Sequence, residues 1–282
     1  MKSKNRSLAL DNLKQNLGDA VFVDEDSLHK ASFDGLKVFF APDAVVRPRQ
    51  ASDVGEVLIL ANKFDIPITT KGAGSSLTGG ATPFKGGWVL DLSQLNEIEL
   101  DMDNQIMRCG PGAIIADIQE KAAEQNLFYP PDPSSKNFCT LGGNVACNAG
   151  GLRCVKYGVT RDYVLSLAGY LPTGEFVRWG RATRKFATGY NLRDLWIGSE
   201  GTLGVVTEIT VRLILAVPNR VTFLGVFCDD QTALNTPLAL SKLGVLPSII
   251  EYMDQWTIDC LQKYVGFEVF SGIEPKPMVL IE

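Results

Sequence analysis

Histidine is the scarcest residue of the sequence, since His29 is the only one among 282 residues. Any chemistry that uses histidine as a base or as a metal ligand therefore has a single candidate. His29 precedes every glycine-rich segment of the chain, so we expect an ordinary, partly buried histidine rather than a catalytic base. No metal site is expected from the sequence.

Three further absences exclude whole classes of protein. There is no excess of basic residues, since the net charge is −5 and the pI is about 5.1, which argues against a nucleic-acid partner. No run of 18 or more apolar residues is present, so no transmembrane segment is predicted. The apolar stretch Ser7–Leu10 is interrupted by Asp11 and is too short for the core of a signal peptide.

The six cysteines form no C-x-x-C pair and have no partnering histidines. Metal or iron–sulfur ligation is therefore not expected, and the pattern favours reduced, mostly buried thiols in a cytoplasmic protein. The content of 45% hydrophobic and 21% charged residues is that of an ordinary globular chain with enough material for a core.

Hydrophobic periodicity predicts alternating helices and strands along the chain. Ser52 is predicted to cap a helix that extends to Phe64, and a β-α-β order around it suggests a small, partly parallel sheet. The predicted helices are 7–17, 52–64, 113–126, 231–243 and 254–264. Two strands joined by a turn at Asp101–Asn104 are predicted within 96–110, and a β-hairpin is predicted from the strands 164–171 and 176–179. The other predicted strands are 20–23, 44–48, 66–70, 88–92, 205–215, 221–228, 249–252 and 278–281.

A glycine-rich segment, Lys71-Gly-Ala-Gly-Ser-Ser-Leu-Thr-Gly-Gly80, follows the predicted strand 66–70. Small residues allow successive backbone N–H groups to face one point, which makes a nest for an anion such as a phosphate or pyrophosphate. Two hydroxyls and Lys71 add side-chain donors. The segment matches neither G-x-G-x-x-G nor a P-loop, and a tight surface turn is the alternative reading.

A second unusual segment extends from Tyr129 to Gly158. Prolines hold Pro130–Ser134 in an extended shape. Residues 141–151 contain so few bulky side chains that a ligand or another part of the backbone is expected to pack closely on them.

These segments together resemble one protein family. The motifs Lys71–Gly80, Pro131–Ser134, Leu141–Gly151, Lys156–Asp162 and Ser199–Glu208 occur in the order seen in the FAD-linked oxidase family, with the vanillyl-alcohol-oxidase or PCMH-type flavin fold. Within it the chain resembles glycolate oxidase flavoprotein subunits and D-lactate and D-2-hydroxyglutarate dehydrogenases. The resemblance extends from about Ala44 to the end of the chain.

The resemblance implies an α+β fold, in which FAD is held between the two subdomains of a PCMH-type domain. Residues 1–217 would form this FAD-binding domain, with its core at about 44–217. Residues 218–282 would begin a ferredoxin-like cap domain of the FAD-linked oxidase C-terminal type. The sequence ends within a predicted strand, and we expect the rest of the cap, the catalytic base and any metal-binding histidines of relatives to lie beyond residue 282.

The resemblance also implies a set of cofactor-binding residues. Gly72, Ala73, Gly74, Ser75 and Ser76 would bind the FAD pyrophosphate through backbone N–H groups. Pro131, Asp132, Pro133, Ser134, Gly143, Asn144, Gly150 and Gly151 would line the cofactor trough. Gly158, Thr160, Glu200, Gly204 and Val206 would complete it around the adenine and ribityl portions.

Three positions depart from the family pattern. Ser75 stands where some relatives carry a histidine bonded to the flavin, so non-covalent FAD is implied. Lys71 stands where relatives often have arginine, which keeps the charge but loses the bidentate fork. Arg153 stands where close relatives tend to have histidine, and the sequence does not indicate its effect.

The function implied is hydride transfer to FAD from a small 2-hydroxy acid, which becomes a 2-oxo acid, and the chain as given is not expected to complete this reaction by itself. A partner iron–sulfur subunit would accept the electrons, and the protein would be cytoplasmic or peripheral to the membrane through partners. Two alternatives remain: a non-catalytic flavin-binding subunit that a partner chain completes, and a different reductase on the same scaffold, such as one acting on an enolpyruvyl sugar nucleotide.

Overall fold

A computed structural model describes residues 2–265 and 276–282 of the chain. The helices are α1 (Lys2–Leu17), α2 (Glu25–Ala31), α3 (Ala51–Phe64), α4 (Ile115–Ala123), α5 (Leu141–Cys147), α6 (Cys154–Tyr157), α7 (Leu192–Trp196), α8 (Asp230–Lys242) and α9 (Gln255–Val265). The strands are β1 (Val21–Phe22), β2 (Ala44–Val46), β3 (Ile68–Lys71), β4 (Trp88–Asp91), β5 (Ile98–Asp101), β6 (Ile106–Cys109), β7 (Leu127–Phe128), β8 (Val164–Tyr170), β9 (Phe176–Gly180), β10 (Val205–Arg212), β11 (Ile214–Leu215), β12 (Phe223–Val226), β13 (Ile250–Met253) and β14 (Met278–Ile281).

The chain divides into two compact units. The first unit comprises residues up to Tyr129, then Ser135–Ala149 and Thr160–Ala216. The second unit comprises Pro130–Ser134, Gly150–Val159 and the described residues from Val217 onward.

The first unit contains two larger sheets. The first sheet has the order β1-β2-β4-β3, with β2, β4 and β3 parallel and β1 antiparallel at the edge. The second sheet is antiparallel throughout, with the order β5-β6-β10-β8-β9. The partly parallel sheet and both hairpins that the sequence predicts are therefore confirmed.

Helices α1 and α3 cover the first sheet and close its core. Trp88 and Leu90 of β4 are fully buried against apolar residues of both helices, among them Leu13 and Val57. The helical spacing in α3 places its apolar side chains on one face, and burial of that face fixes the helix on the sheet. This arrangement leaves the C-terminal end of β3, at Lys71, to open into the glycine-rich loop, at the sheet edge where ligands of α/β folds collect.

The structure corrects the predicted start of α3. Its N-cap is Gln50 rather than Ser52, and the side chain of Asp53 accepts hydrogen bonds from the backbone N–H groups of Arg49 (2.9 Å) and Gln50 (3.3 Å). This is the geometry of a capping box, in which the residue at N3 satisfies the N-cap backbone.

The glycine-rich segment 141–151 begins with a helix that the sequence did not predict. Thr140 caps α5 by accepting a hydrogen bond from Gly143, and Asn148 ends the helix in the left-handed region at φ +48°. A Cβ added at Gly142 would lie 2.6 Å from Cβ of Pro111, so another part of the chain does pack closely on this backbone, as expected. Helix α2 and the extension of α1 to Lys2 were likewise not predicted.

The second unit has a three-stranded antiparallel sheet in the order β12-β14-β13, accompanied by α8 and α9. Across residues 2–265 and 276–282, no helix is both long enough and apolar enough to cross a bilayer.

Candidate cofactor-binding site

The glycine-rich loop of the first unit lies directly against the start of α5. A Cβ added at Gly72 would lie 2.3 Å from Oγ1 of Thr140, which leaves no room for any residue but glycine. Gly74 has φ +64°, and a Cβ there would lie 2.8 Å from Cε of Lys71. Both glycines are therefore required by the path of the chain, independently of any ligand.

Helix α5 contributes an open surface and an unsatisfied donor. An added Cβ at Gly143 would meet only the hydroxyl of Thr140, at 3.3 Å, so the space beyond Gly143 is otherwise free. The side chain of Asn144 is buried, with 4% exposure, and among the described residues none accepts a hydrogen bond from its Nδ2. A buried amide without a partner is costly, and in native proteins it calls for an explanation such as a missing ligand.

Glu200 reaches the far end of the same loop. Its Oε2 accepts a hydrogen bond from Oγ1 of Thr78 at 3.1 Å, and a Cβ at Gly80 would lie 3.0 Å from this oxygen. The backbone N–H of Glu200 donates to the carbonyl of Ala146 at the end of α5. The structure thus brings the predicted residues Gly72–Ser76, Gly143, Asn144 and Glu200 into one region of the first unit.

Three other predicted residues of this unit contact the protein itself. Thr160 is fully buried, and its hydroxyl donates to the carbonyl of Ala149 at 2.8 Å. A Cβ at Gly204 would lie 2.5 Å from the carbonyl oxygen of Tyr170, so this glycine serves close strand packing. Val206 is a half-buried residue of β10.

The ammonium group of Lys71, which the sequence predicts as a donor to the loop, is held largely by backbone carbonyls outside the loop. Its Nζ donates to the carbonyls of Lys30 (3.0 Å) and Phe33 (2.5 Å), and the residue is only 9% exposed. Burial lowers the pKa of Lys71, although Asp91 and Asp34 nearby oppose this shift. Lys71 therefore fastens the segment that follows α2 to the end of β3.

The segment that follows α2 forms one side of the candidate site, and the sequence analysis did not predict this. A Cβ at Gly35 would lie 2.6 Å from the carbonyl oxygen of Ser76, so the two backbones are in direct contact. Asp34 is 2% exposed and accepts a hydrogen bond from the N–H of Leu36. The Asp34-Gly35 dipeptide, a turn signature, was the available signal.

The predicted residues of the second unit lie on two segments that contact each other. A Cβ at Gly151 would lie 2.1 Å from the carbonyl oxygen of Asp132, and Nη1 of Arg153 lies 2.7 Å from Oδ2 of Asp132. Pro131, Asp132 and Pro133 are buried, whereas Ser134 and Gly150 are exposed. Gly158 follows α6 with φ +80°.

The lone histidine and the cysteines were also candidates for chemistry. His29 is exposed, rather than partly buried as predicted, and its ring packs on Phe33 and Phe39 at centroid distances of 5.7 and 5.6 Å. All six cysteines are free. The prediction that they are mostly buried is wrong, because only Cys109 and Cys139 are buried while Cys147, Cys228 and Cys260 are exposed. In the part of the chain that the structure describes, no group of three or more His, Cys, Asp or Glu side chains is arranged to hold a metal ion.

Residues 42–180 match a family model described as an FAD binding domain. Over 242 residues the chain is 38% identical to the glycolate oxidase subunit GlcD of Bacillus subtilis, covering 86% of this chain and 51% of that protein. It is 37% identical over 230 residues to a D-lactate dehydrogenase of Anaerostipes hadrus, covering 81% and 48% respectively. The chain thus spans about half the length of the curated relatives it matches.

Solved structures show the same fold at low identity. An alkyldihydroxyacetonephosphate synthase superposes with a TM-score of 0.81 at 23% identity, over 98% of this chain and 55% of that chain. A p-cresol methylhydroxylase superposes with a TM-score of 0.79 at 18% identity, over 99% and 60%. The predicted α+β class and PCMH-type fold are therefore confirmed.

The fold and the family match define the class: residues 42–180 form an FAD-binding domain of the PCMH type. Within this class the chain belongs to the FAD-linked oxidase family, among relatives named as glycolate oxidase subunits and D-lactate dehydrogenases.

Proposed function

We propose that this chain binds FAD non-covalently and forms the FAD-binding part of an oxidoreductase that converts a small 2-hydroxy acid to a 2-oxo acid. The observation that carries the proposal is the region in which Gly72, Gly143 and Asn144 meet, within the residues that match the FAD-binding family. The relatives named as glycolate oxidase and D-lactate dehydrogenase support the substrate class.

The residues present fit a dinucleotide phosphate. Gly143 leaves space where any larger residue would project, and the buried Asn144 amide has a donor to offer. Backbone N–H groups of Gly72–Ser76 supply further donors, and each hydrogen bond to a charged oxygen contributes about 1.5–3 kcal/mol. Several such bonds are sufficient for tight binding without a covalent link, and Ser75 offers no side chain that commonly bonds flavin.

FAD, when bound, supplies the acceptor for the hydride that leaves the 2-hydroxy acid. The residues of this chain would bind the cofactor and hold it in place, with Gly72–Ser76 on the pyrophosphate and Glu200 at the far end of the loop. We assign no catalytic base, since His29 is engaged in an aromatic cluster with Phe33 and Phe39.

The remaining predicted contacts are part of the same proposal. Residues 1–217 would act as the FAD-binding domain and residues 218–282 as the start of a substrate-side domain. The second group of predicted contacts with FAD is Pro131, Asp132, Pro133, Ser134, Gly150, Gly151 and Gly158. The proposal also includes an iron–sulfur partner that accepts the electrons and a cytoplasmic or membrane-peripheral location.

The test begins with the purified chain. We expect a yellow protein whose flavin stays in the supernatant after acid precipitation, since the cofactor is not covalently attached. Flavin that precipitates with the protein would contradict the non-covalent assignment, and a colourless protein that does not take up added FAD would contradict the proposal as a whole.

Turnover is tested anaerobically with glycolate and D-lactate, and L-lactate serves as the stereochemical control. Since we assign no catalytic base in this chain, we expect the flavin band to persist with all three acids. Bleaching by glycolate or D-lactate but not by L-lactate would contradict this expectation and show that the chain oxidises a 2-hydroxy acid by itself, which would exclude the non-catalytic flavin-binding subunit.

A further inference from the structure

Two segments of the first unit expose large apolar side chains beside each other. Residues 36–41 are all exposed, and residues 77–86 begin within the glycine-rich segment. We call the exposed large apolar side chains of these two segments the apolar patch; its members are Leu36, Val38, Phe39, Phe40, Leu77 and Phe84. Single exposed apolar residues are ordinary on a protein surface, whereas a contiguous group of them marks an interaction surface.

Contacts at both ends place the two segments side by side. A Cβ added at Gly79 would lie 3.5 Å from Cδ2 of Leu36. At the other end, a Cβ added at Gly86 would lie 3.8 Å from the carbonyl oxygen of Ala41. The apolar side chains therefore belong to one surface of the first unit rather than to two separate loops.

The fold holds the backbone of the patch while its side chains stay exposed. The N–H of Phe40 donates to the carbonyl of Ser32 at 2.9 Å, and the N–H of Phe84 donates to the carbonyl of the buried Thr82 at 2.9 Å. Even so, the side chain of Phe84 is 65% exposed. The patch is thus presented without any rearrangement of the chain.

Positive charge accompanies the apolar side chains. Residues 36–42 and 77–90 contain Lys37 and Lys85 but no Asp or Glu, in a chain whose net charge is −5. The ammonium group of Lys37 lies 4.5 Å from the ring centre of Phe33, and that of Lys85 lies 5.7 Å from the ring centre of Phe84. Among residues 2–265 and 276–282, neither lysine forms an ion pair with a carboxylate.

Carboxylates border the patch but are engaged or buried. Asp43 forms an ion pair with Arg6 at 3.1 Å, and Glu200 accepts the hydrogen bond from Thr78. Asp34 is almost completely buried and does not face solvent. The patch therefore combines an apolar surface with two available positive charges.

These charges distinguish between possible occupants. In a symmetric contact between two copies the patch would meet itself, and four ammonium groups would enter an interface whose own segments supply no carboxylate, which is costly. An anionic bilayer instead offers phosphate groups to the lysines and a hydrocarbon boundary to the phenylalanines. Lysine stems can lie along the apolar surface while their ammonium groups reach the headgroups, so lipid matches both properties of the patch.

We propose that the apolar patch docks the protein on an anionic lipid surface, with Lys37 and Lys85 at the headgroups and Phe40 and Phe84 at the acyl boundary. A membrane-peripheral location would then arise from direct contact with lipid and not only through partner subunits. The patch contains none of the residues assigned to FAD, so this proposal does not depend on the proposed function.

The test is flotation of the purified full chain with vesicles of phosphatidylcholine alone and of phosphatidylcholine mixed with phosphatidylglycerol. We expect strong flotation with the mixed vesicles and little with the neutral ones. Lys85→Gln should weaken binding about fivefold, the effect of one lysine at an anionic surface. Phe84→Ser should weaken it about tenfold, because one aromatic side chain no longer enters the lipid. Both residues are exposed, so the variants should fold, which thermal unfolding will verify.

Lys14→Gln and Phe138→Ser are the matched controls, since each removes the same type of exposed side chain elsewhere in the first unit. A control that weakens binding as much as its counterpart would reduce the effect to net charge or to general hydrophobicity and overturn the proposal. Absence of flotation with the mixed vesicles, or equal flotation with the neutral ones, would also overturn it.

Light scattering without lipid tests the second copy as the occupant. We expect a molar mass that Phe84→Ser does not change, and a dimer that this variant dissociates would overturn lipid docking. Flavin content, measured on the same samples, separates this result from the proposed function: a colourless protein that takes up no FAD and still floats with the mixed vesicles would refute only the latter.

Discussion

At the scale of single residues, the buried Asn144 amide offers the most direct test of the proposed FAD site. Its Nδ2 is buried without an acceptor among the described residues. We expect Asn144→Ala to lower the affinity for FAD by about 1.5–3 kcal/mol, the value of a hydrogen bond to a charged group, and to change the stability of the FAD-free protein little. Titration of the protein with FAD, followed by flavin fluorescence, measures the first effect.

Asn148 at the end of the same helix is the control for that substitution. Its Oδ1 accepts a hydrogen bond from the backbone N–H of Arg161 at 3.0 Å, and it adopts φ +48°. Asn148→Ala should therefore lower the free energy of unfolding rather than the affinity for FAD. If Asn144→Ala also lowered the free energy of unfolding and left the affinity for FAD unchanged, Asn144 would have a structural role only.

Substitutions at Gly143 and Gly72 distinguish an effect on FAD binding from an effect on folding. Gly143→Ala fits the helix and its Cβ meets only the Thr140 hydroxyl, so the free energy of unfolding of the protein should change by less than about 1 kcal/mol. If FAD occupies the open side, Gly143→Ala will still weaken FAD binding about tenfold, or about 1.4 kcal/mol. Gly72→Ala should lower both the free energy of unfolding and the affinity for FAD, because its Cβ would overlap Thr140. An unchanged affinity for FAD in Gly143→Ala would show that Gly143 does not line the FAD site.

At the scale of elements, Lys71 connects the segment after α2 to β3. Lys71→Met removes two hydrogen bonds from a buried ammonium to backbone carbonyls, and we expect the free energy of unfolding to fall by about 1.5–3 kcal/mol in urea titrations. Lys14→Met, at an exposed position of α1, is the matched control and should have little effect. If Lys71→Met left stability unchanged and reduced only FAD binding, Lys71 would be a phosphate ligand after all.

The start of α3 gives a second test at this scale. Asp53→Ala breaks the capping box and should cost about 0.5–2 kcal/mol of stability, whereas Ser52→Ala should cost little because Ser52 lies inside the helix. Urea denaturation of the two variants side by side measures the difference. A larger loss of stability for Ser52→Ala than for Asp53→Ala would support Ser52 as the N-cap, as the sequence predicted.

At the scale of the whole molecule, the distribution of thiols tests the fold without reference to any ligand. Burial raises the pKa of the Cys109 thiol to about 12, and Cys139 is buried as well, so neither should react with a thiol reagent in the native protein. Cys228 and Cys260 are exposed and should react at once, whereas the exposed Cys147 should react more slowly, because partial burial of its sulfur raises the pKa of its thiol. Labelling followed by mass spectrometry, with and without denaturant, locates the modified residues; rapid native labelling of Cys109 would contradict the packing of β6.

Local patterns predicted those parts of the fold that depend on local sequence. Alternation of apolar residues and turn chemistry located both hairpins of the antiparallel sheet, and helical spacing located α3 and α4. Helix α5 was missed because glycine lowers helix propensity, and here the N-cap at Thr140 and close packing on Pro111 stabilise it.

The sequence by itself determined the family and the location of the glycine-rich loop, because glycines are needed at fixed positions wherever a backbone turns tightly or approaches another chain segment. Only the tertiary structure decided how that loop is supported. Lys71 binds carbonyls at Lys30 and Phe33, and Gly35 touches Ser76, which are contacts between segments about 40 residues apart. No local propensity encodes such contacts, since they arise when the whole sheet assembles and buries the charged group beside them.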